Sequence, residues 1–376
     1  GTLLPLPAWN GFRTSLPTKH TKMRIALVTY SIKYGGIETF LNRLATFLAG
    51  EGHEVTLIET EERGEWADAF AASGLRVTDI LPHPLRSRRR HVQRIANSLR
   101  MFDVVILNDA PFAQSALGLL MEETVCIPVV HTDLGSMYRN AVANRSQWDA
   151  VVCVGPRLGK TIVRGYGAPP DRVHVIPYGV EVPERYPERP PDRAVGPLRV
   201  IYVGRLEDRQ KRVLRMPGIM SGAMSDGESF EFTVVGDGPD RNALAAAFAA
   251  LCPTLRVEFR GRLTNAETRT ALERPDVLLL PSDFEGLPIT VLEAMAAGAL
   301  PIASRIEDTT DFQIADGRTG FLVAPGDIDG FSHALSGIAK DRTKLREMSF
   351  AAWSDAKDRF TVRQMCCQYL DLIAAR

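Results

Sequence analysis

Two glutamates eight positions apart, Glu285 and Glu293, flank a Gly286-Leu287-Pro288 turn inside the run LLLPSDFEGLPITVLEAMAAGALPIAS at 278–304. The apolar start reads as a buried strand ending at Pro281. Pro288 suits the first turn of a helix, and Glu293 falls within that helix. Free N–H groups and the helix dipole make such an amino end attractive to anions, so a pyrophosphate can sit at Gly286 and Leu287. Carboxylates repel pyrophosphate. Glu285 and Glu293 therefore make chemical sense there as acceptors of hydrogen bonds from neutral hydroxyls, such as those of a sugar ring and a ribose. The ligand so described is a nucleotide sugar. A lone first-turn glutamate would more simply complement the helix dipole, but that explanation does not reach the spaced pair, the Gly-Leu-Pro turn and the small-residue helix together.

Other signatures fail on spacing. Gly155, Gly159, Lys160 and Thr161 imitate a phosphate-cradling loop, yet only three residues separate the glycines where four are needed, so an ordinary strand-to-helix turn is expected. Gly236-Asp237-Gly238 begins like a dinucleotide fingerprint, but Arg241 occupies the third glycine's place and would block close helix-to-strand packing. No nicotinamide cofactor is expected. The seven histidines are dispersed without metal-ligand spacing, so no metal site and no cofactor are expected.

The elements that must position these residues follow from hydrophobic patterning. Short Val- and Ile-rich runs alternate with amphipathic segments, the pattern of a parallel sheet covered by helices on both faces. Strands are expected at 24–30, 54–60, 76–81, 103–109, 125–131, 150–155 and 173–177, then at 198–204, 231–236, 256–261, 277–281, 300–304 and 320–323. Pro183, Pro187, Pro190, Pro191 and Pro197 lie among charges between the two series and read as a linker. The expected division is a first domain at 23–182, a linker at 183–197, a second domain at 198–345 that carries the nucleotide-sugar residues, and C-terminal helices at 346–376 crossing back to the first domain. Residues 1–22 carry three prolines and no acid, and read as an extension or cloning remnant, with Met23 starting the fold. Two doubly wound Rossmann-like α/β domains would turn the carboxyl ends of their sheets toward a central cleft.

At 376 residues the chain is too long for one core, and its 45% apolar and 24% charged composition excludes disordered and fibrous classes. Forty-five basic side chains balance forty-five acidic ones, so no global field exists to hold nucleic acid. Five scattered cysteines, Cys126, Cys153, Cys252, Cys366 and Cys367, read as buried thiols of a reducing cytoplasm. Charge is concentrated in one place: Arg86, Arg88, Arg89, Arg90, Arg94 and Arg100 fall in a stretch without acids. A solvated helix face and a dock for anionic lipid or a phosphate-bearing acceptor are both open readings.

The stretch at 278–304 closely resembles the Glu-x7-Glu signature of the retaining GT-B glycosyltransferases of family four, the group 1 glycosyl transferases. Further matches fall in the family's order: TYSIKYGGIETFLNRLATFLAGEGHEV at 29–55, VVHTD at 129–133, VIPYGVE at 175–181, VGRLEDRQKR at 203–212, VVGDGP at 234–239 and FRGRL at 259–263. The resemblance implies that Arg205 and Lys211 clamp the donor diphosphate and replace the Mg²⁺ of other transferases. It implies that Glu293 binds ribose, that Glu285 with the Gly286 and Leu287 amides holds the donor sugar and its phosphate, and that Gly35, Gly36, Gly236 and Arg262 also serve donor binding. His131 matches a histidine near the reaction centre, and Asp133 either joins it or caps the next helix. The chain departs from the family at Pro177-Tyr178-Gly179, where Pro-Asn-Gly is usual, and at Lys211-Arg212, where Lys-Gly is usual.

The expected activity is therefore a metal-independent, retaining hexosyl transfer from a nucleotide-diphosphate sugar, UDP-sugar favoured, to an acceptor hydroxyl in glycan, glycolipid or cell-surface polysaccharide biosynthesis. Expected partners are the donor, a glycan or lipid-linked acceptor and an anionic membrane surface; the expected location is the cytoplasm, peripheral on the inner face of the membrane. A sugar-nucleotide epimerase or hydrolase on the same fold, and a nucleotide-sugar binding protein without turnover, are the rival readings.

Overall fold

The computed structural model describes residues 22–33, 35–85, 87–187 and 196–376. The expectations for 1–21, for Arg86 and for the linker's 188–195 lie outside the described residues. The chain forms two compact units, one made of residues up to Gly179 together with Val362–Arg376, the other Val180–Thr361.

The first unit holds a parallel sheet of seven strands: β1 (Arg24–Thr29), β2 (Glu54–Glu59), β3 (Arg76–Asp79), β4 (Val104–Asn108), β5 (Val125–Val130), β6 (Val151–Cys153) and β7 (Val173–Val175), in the order β3-β2-β1-β4-β5-β6-β7. Central strands read as unbroken apolar runs because helices cover both faces; Ile25, Ala26, Leu27 and Val28 of β1 are all fully buried. The strand order reverses between β1 and β4, which leaves a crevice beyond their carboxyl ends. Gly155 precedes the helix Pro156–Tyr166, and a Cβ on Gly159 would meet Val175 Cγ2 at 3.1 Å, so Gly159 serves helix-on-strand packing.

The second unit holds β8 (Leu198–Val203), β9 (Phe230–Val235), β10 (Arg256–Gly261), β11 (Val277–Leu280), β12 (Leu300–Ser304) and β13 (Phe321–Val323), in the order β10-β9-β8-β11-β12-β13, again all parallel. Its reversal lies between β8 and β11. At the carboxyl end of β8 the backbones crowd: a Cβ on Gly236 would sit 1.8 Å from the Gly204 carbonyl oxygen, and Gly236 itself has φ 129°. Only glycine fits there.

The unit boundaries fall at 179/180 and 361/362, not at 182, 198 and 345. Before the undescribed part of the linker the chain already packs on the helix Arg342–Arg359: Trp353 Nε1 donates to the Pro183 carbonyl at 3.2 Å, and Tyr186 packs edge-on against Phe350 and Trp353. That helix stays with the second unit. Only the last one, Val362–Ala374, belongs to the first, where Tyr369 meets Phe40 at 5.8 Å and the Gly179 N–H donates to Met365 Sδ at 3.1 Å. Neighbours on that helix diverge as helical geometry requires, Cys366 fully buried and Cys367 half-buried.

Candidate functional site

The reversal between β8 and β11 decides which residues meet in the second unit. The loop after β8 carries Arg205 and Lys211, and the turn after β11 carries Asp283, Glu285 and Gly286. Lys211 ends the one-turn helix Asp208–Lys211, and its Nζ lies 2.6 Å from Glu285 Oε1 with the two side chains 17% and 5% exposed. Gln210 supports the same carboxylate, Nε2 standing 3.1 Å from the Phe284 carbonyl and 3.5 Å from Glu285 Oε2. The loop and the turn are also joined through backbone, since the Asp283 N–H donates to the Gln210 carbonyl at 3.0 Å. A buried ion pair is an expensive way to stabilise a fold, and removing one partner strands the other's charge. Its place at a switch point gives it a functional reading instead.

Beyond Glu285 the chain enters the helix Ile289–Ala296, with Pro288 at its cap, buried Gly286 and Leu287 before it and half-buried Glu293 inside it. Arg205 pairs with a different carboxylate. Its side chain is 63% exposed and its Nε faces Glu207 at 3.1 Å, the surface pairing that such a residue makes when nothing larger occupies it. Its backbone is fixed, because the buried Tyr202 hydroxyl donates to the Arg205 carbonyl at 2.8 Å. Arg262 is exposed just past β10, and Gly236 acts through the backbone crowding described above.

The usual glycine after the lysine has a visible reason. Arg212 adopts the left-handed conformation, φ 50° and ψ 42°, which costs a residue with a Cβ roughly 1–2 kcal/mol. Ion pairs accompany that strain: Arg212 Nε reaches Asp283 Oδ2 at 2.5 Å, and Arg215 Nη1 reaches Asp283 Oδ1 at 2.6 Å. Burial alone would raise the Asp283 carboxyl, yet the two guanidiniums outweigh it and hold its pKa below the usual range.

In the first unit, His131 follows β5 and is buried among Phe40, Tyr178 and Asn108. Asn108 Nδ2 donates to the carbonyls of Val28 and Ile106, both at 3.3 Å, which turns its Oδ1 toward His131 Nε2 at 2.9 Å. The ring therefore carries its proton on Nε2, and Nδ1 accepts from the Tyr178 hydroxyl at 2.7 Å. Burial pushes the imidazole down to about 3, so it stays neutral. Both nitrogens are engaged, and this histidine is held as an oriented neutral ring rather than as a free proton carrier. Tyr178, the departure from Pro-Asn-Gly, is thus its partner. Asp133 caps no helix; it accepts from Tyr138 at 2.8 Å and from Arg157 Nε at 2.7 Å.

Gly35 has an extended backbone, φ 171°, open to any residue; what a side chain would meet is Glu38 Oε2, 2.9 Å from an ideal Cβ. Gly36 opens the helix Gly36–Gly50, and Glu38 is in its first turn. Burial pushes the Glu38 carboxyl up to about 7, opposed by the backbone N–H groups of Glu38 and Lys33. Sequence reasoning missed Glu38, although it stands in the quoted GGIE run, and it missed Gln210 and Asp283, whose partners lie 68 to 75 positions away.

Arg88, Arg89 and Arg90 are exposed on the first turn of the helix Arg88–Leu99, capped by Ser87. Three cations at the positive end of a helix dipole disfavour the helix. Exposed apolar side chains occur in the segments on either side, Leu85 before the helix and Met101 after it, 90% and 59% exposed. Arg94 and Arg100 turn back to the carbonyls of Leu81 and Leu119. Among the described residues no helix is long and apolar enough to cross a membrane.

Comparison with known proteins bears on the family and the fold. A family model described as Glycosyl transferases group 1 matches residues 197–341, and one described as Glycosyltransferase Family 4 matches residues 34–183. The glycogen synthase of Mycobacterium tuberculosis is 23% identical, covering 88% of this chain and 89% of its own. The amylovoran biosynthesis glycosyltransferase AmsK of Erwinia amylovora is 26% identical over 54% of this chain and 51% of its own. In fold, the chain is similar to Anabaena HepE in complex with UDP, with a TM-score of 0.78 at 18% identity, covering 94% of this chain and all of that one. HepE in complex with UDP-glucose gives 0.77, again at 18% identity, with the same shares of both chains.

Proposed function

The chain belongs to the group 1 glycosyl transferases, and from that premise we propose that it moves a hexose from a UDP-sugar to an acceptor hydroxyl with retention, in the biosynthesis of a cell-surface polysaccharide or glycolipid. The observation that carries this reading is the buried Lys211–Glu285 pair in front of the helix that holds Glu293. A diphosphate arriving at Lys211 draws the ammonium toward itself, leaving the Glu285 carboxylate to accept from sugar hydroxyls, while Glu293 accepts from the ribose. Arg205, exposed and weakly paired, swings onto the same diphosphate. As the bond from the anomeric carbon to the phosphate oxygen breaks, negative charge grows on the leaving group, where these two cations oppose it without a divalent metal. The acceptor oxygen forms its bond on the same face and its proton passes to the leaving phosphate oxygen. His131 supplies no proton; held neutral by Tyr178 and Asn108, it presents a fixed ring. The UDP and UDP-glucose complexes of HepE and the named role of AmsK in amylovoran biosynthesis support the donor and the pathway class.

A panel of nucleotide sugars tests the donor. A ligand specific to the native state adds about 2.7 kcal/mol at a hundredfold excess over its Kd, a rise in melting temperature that a UDP-hexose should give and an ADP- or GDP-sugar should not. No stabilisation by any nucleotide sugar would sink the reading.

The arginine-rich helix start fits an anionic membrane that carries a lipid-linked acceptor. Each Arg near such a surface contributes about 1 kcal/mol, and the exposed Leu85 suits the interface. Changing Arg88, Arg89 and Arg90 to Glu should abolish sedimentation with phosphatidylglycerol vesicles and leave activity on a short soluble acceptor unchanged. Vesicle binding that survives the triple reversal rules the membrane out. Loss of activity on the soluble acceptor by a folded variant would instead assign these arginines to an anionic acceptor.

A further inference from the structure

We propose that Arg212 is a positioning residue, a latch whose guanidinium on Asp283 holds Lys211 in register with Glu285. The inference rests on the donor role given above to Lys211. Arg212 directly follows Lys211 and adopts a conformation that glycine would take without strain, so its presence calls for a side-chain role. The side chain shows one. Asp283 receives Arg212 Nε on one oxygen and Arg215 Nη1 on the other, and its backbone N–H donates to the Gln210 carbonyl at 3.0 Å. Two residues beyond Asp283 is Glu285, which receives Lys211 at 2.6 Å. The loop after β8 and the turn after β11 are thus fastened at neighbouring points, by Arg212 on Asp283 and by Lys211 on Glu285. Asp208 ties the latch to its own helix, its Oδ2 3.6 Å from Arg212 Nη1 and its Oδ1 accepting from the Leu214 N–H at 2.9 Å. When a diphosphate takes the lysine from Glu285, the second fastening opens. The latch remains, and keeps the ammonium within reach of the leaving group.

Arg212→Gly separates backbone from side chain, because it relieves the left-handed strain and removes only the latch. The expected result is a turnover number about tenfold lower with the melting temperature unchanged or raised and the KM for the donor changed less than threefold. Asp283→Asn, which also loosens Arg215, should give at least as large a loss, and the double variant no more than Asp283→Asn alone, because the Arg212 contact is common to both. Amide exchange supplies a readout that needs no donor: the Asp283 N–H should exchange at least tenfold faster in Arg212→Gly than in the wild type. Wild-type turnover in Arg212→Gly, or unchanged Asp283 exchange, overturns the latch. A wild-type protein with no turnover on any donor would overturn the transfer reading, and the exchange measurement would still decide on the latch.

Discussion

Arg205→Gln should lower the turnover number about a hundredfold or more and leave the melting temperature where it was, the scale for losing one preorganised electrostatic group. The fold has little to lose at this position. The Arg205 side chain is 63% exposed, and its pairing with Glu207 is of the kind that contributes nothing or under about 1 kcal/mol. Lys211→Gln should cost at least as much in turnover, but it also strands the Glu285 carboxylate, 5% exposed, without its cation. A fall in stability should therefore accompany it, and the contrast between the two variants separates charge acting on the reaction from charge acting on the fold. The wild-type enzyme should keep its full rate in EDTA. An absolute Mg²⁺ or Mn²⁺ requirement for the chemical step would show that a metal, not these cations, stabilises the leaving group.

The two glutamates should divide nucleotide from sugar. Glu293→Ala should weaken the binding of UDP itself by about ten- to a hundredfold, since hydrogen bonds to a charged acceptor contribute about 1.5–3 kcal/mol and each 1.4 kcal/mol is tenfold. Glu285→Ala should leave UDP affinity within a few-fold of wild type, or tighten it, because Lys211 loses the carboxylate that competes with the diphosphate. Its turnover should nevertheless collapse, the donor sugar having lost the acceptor for its hydroxyls. Titration calorimetry with UDP and with intact donor distinguishes them. Equal losses on both ligands in both variants would refute the division.

Patterning along the chain was enough to place the strands, because a parallel strand covered on both faces must be a short apolar run and little else in this sequence looks like one. The Lys211–Glu285 meeting was legible only as a family resemblance; their contact depends on β8 and β11 being neighbours, which no local pattern states. Where the chain divides near its end is illegible in the sequence for a related reason. The helices Arg342–Arg359 and Val362–Ala374 are separated by Phe360 and Thr361 alone, and nothing in their composition tells that they pack on different units. The resemblance singles out His131, but its protonation state is not legible in the sequence. Asn108, which sets the proton on its ring, lies 23 positions before it, and Tyr178, which occupies the other nitrogen, 47 positions on, at a site where the sequence shows only an unusual residue before a glycine. A left-handed arginine is likewise invisible in sequence, because only glycine advertises that conformation.

Because the helix Val362–Ala374 packs in the first unit, that unit is built from two separate segments of the sequence and the second unit from the stretch between them. On the ribosome, the segment Val180–Thr361 is complete before the final residues of the first unit have been made. The later-encoded unit can finish folding first. Until Met365 and Tyr369 arrive, the Gly179 N–H lacks its sulfur acceptor and Phe40 one of its aromatic neighbours, so the first unit stays unfinished while the second can already be complete.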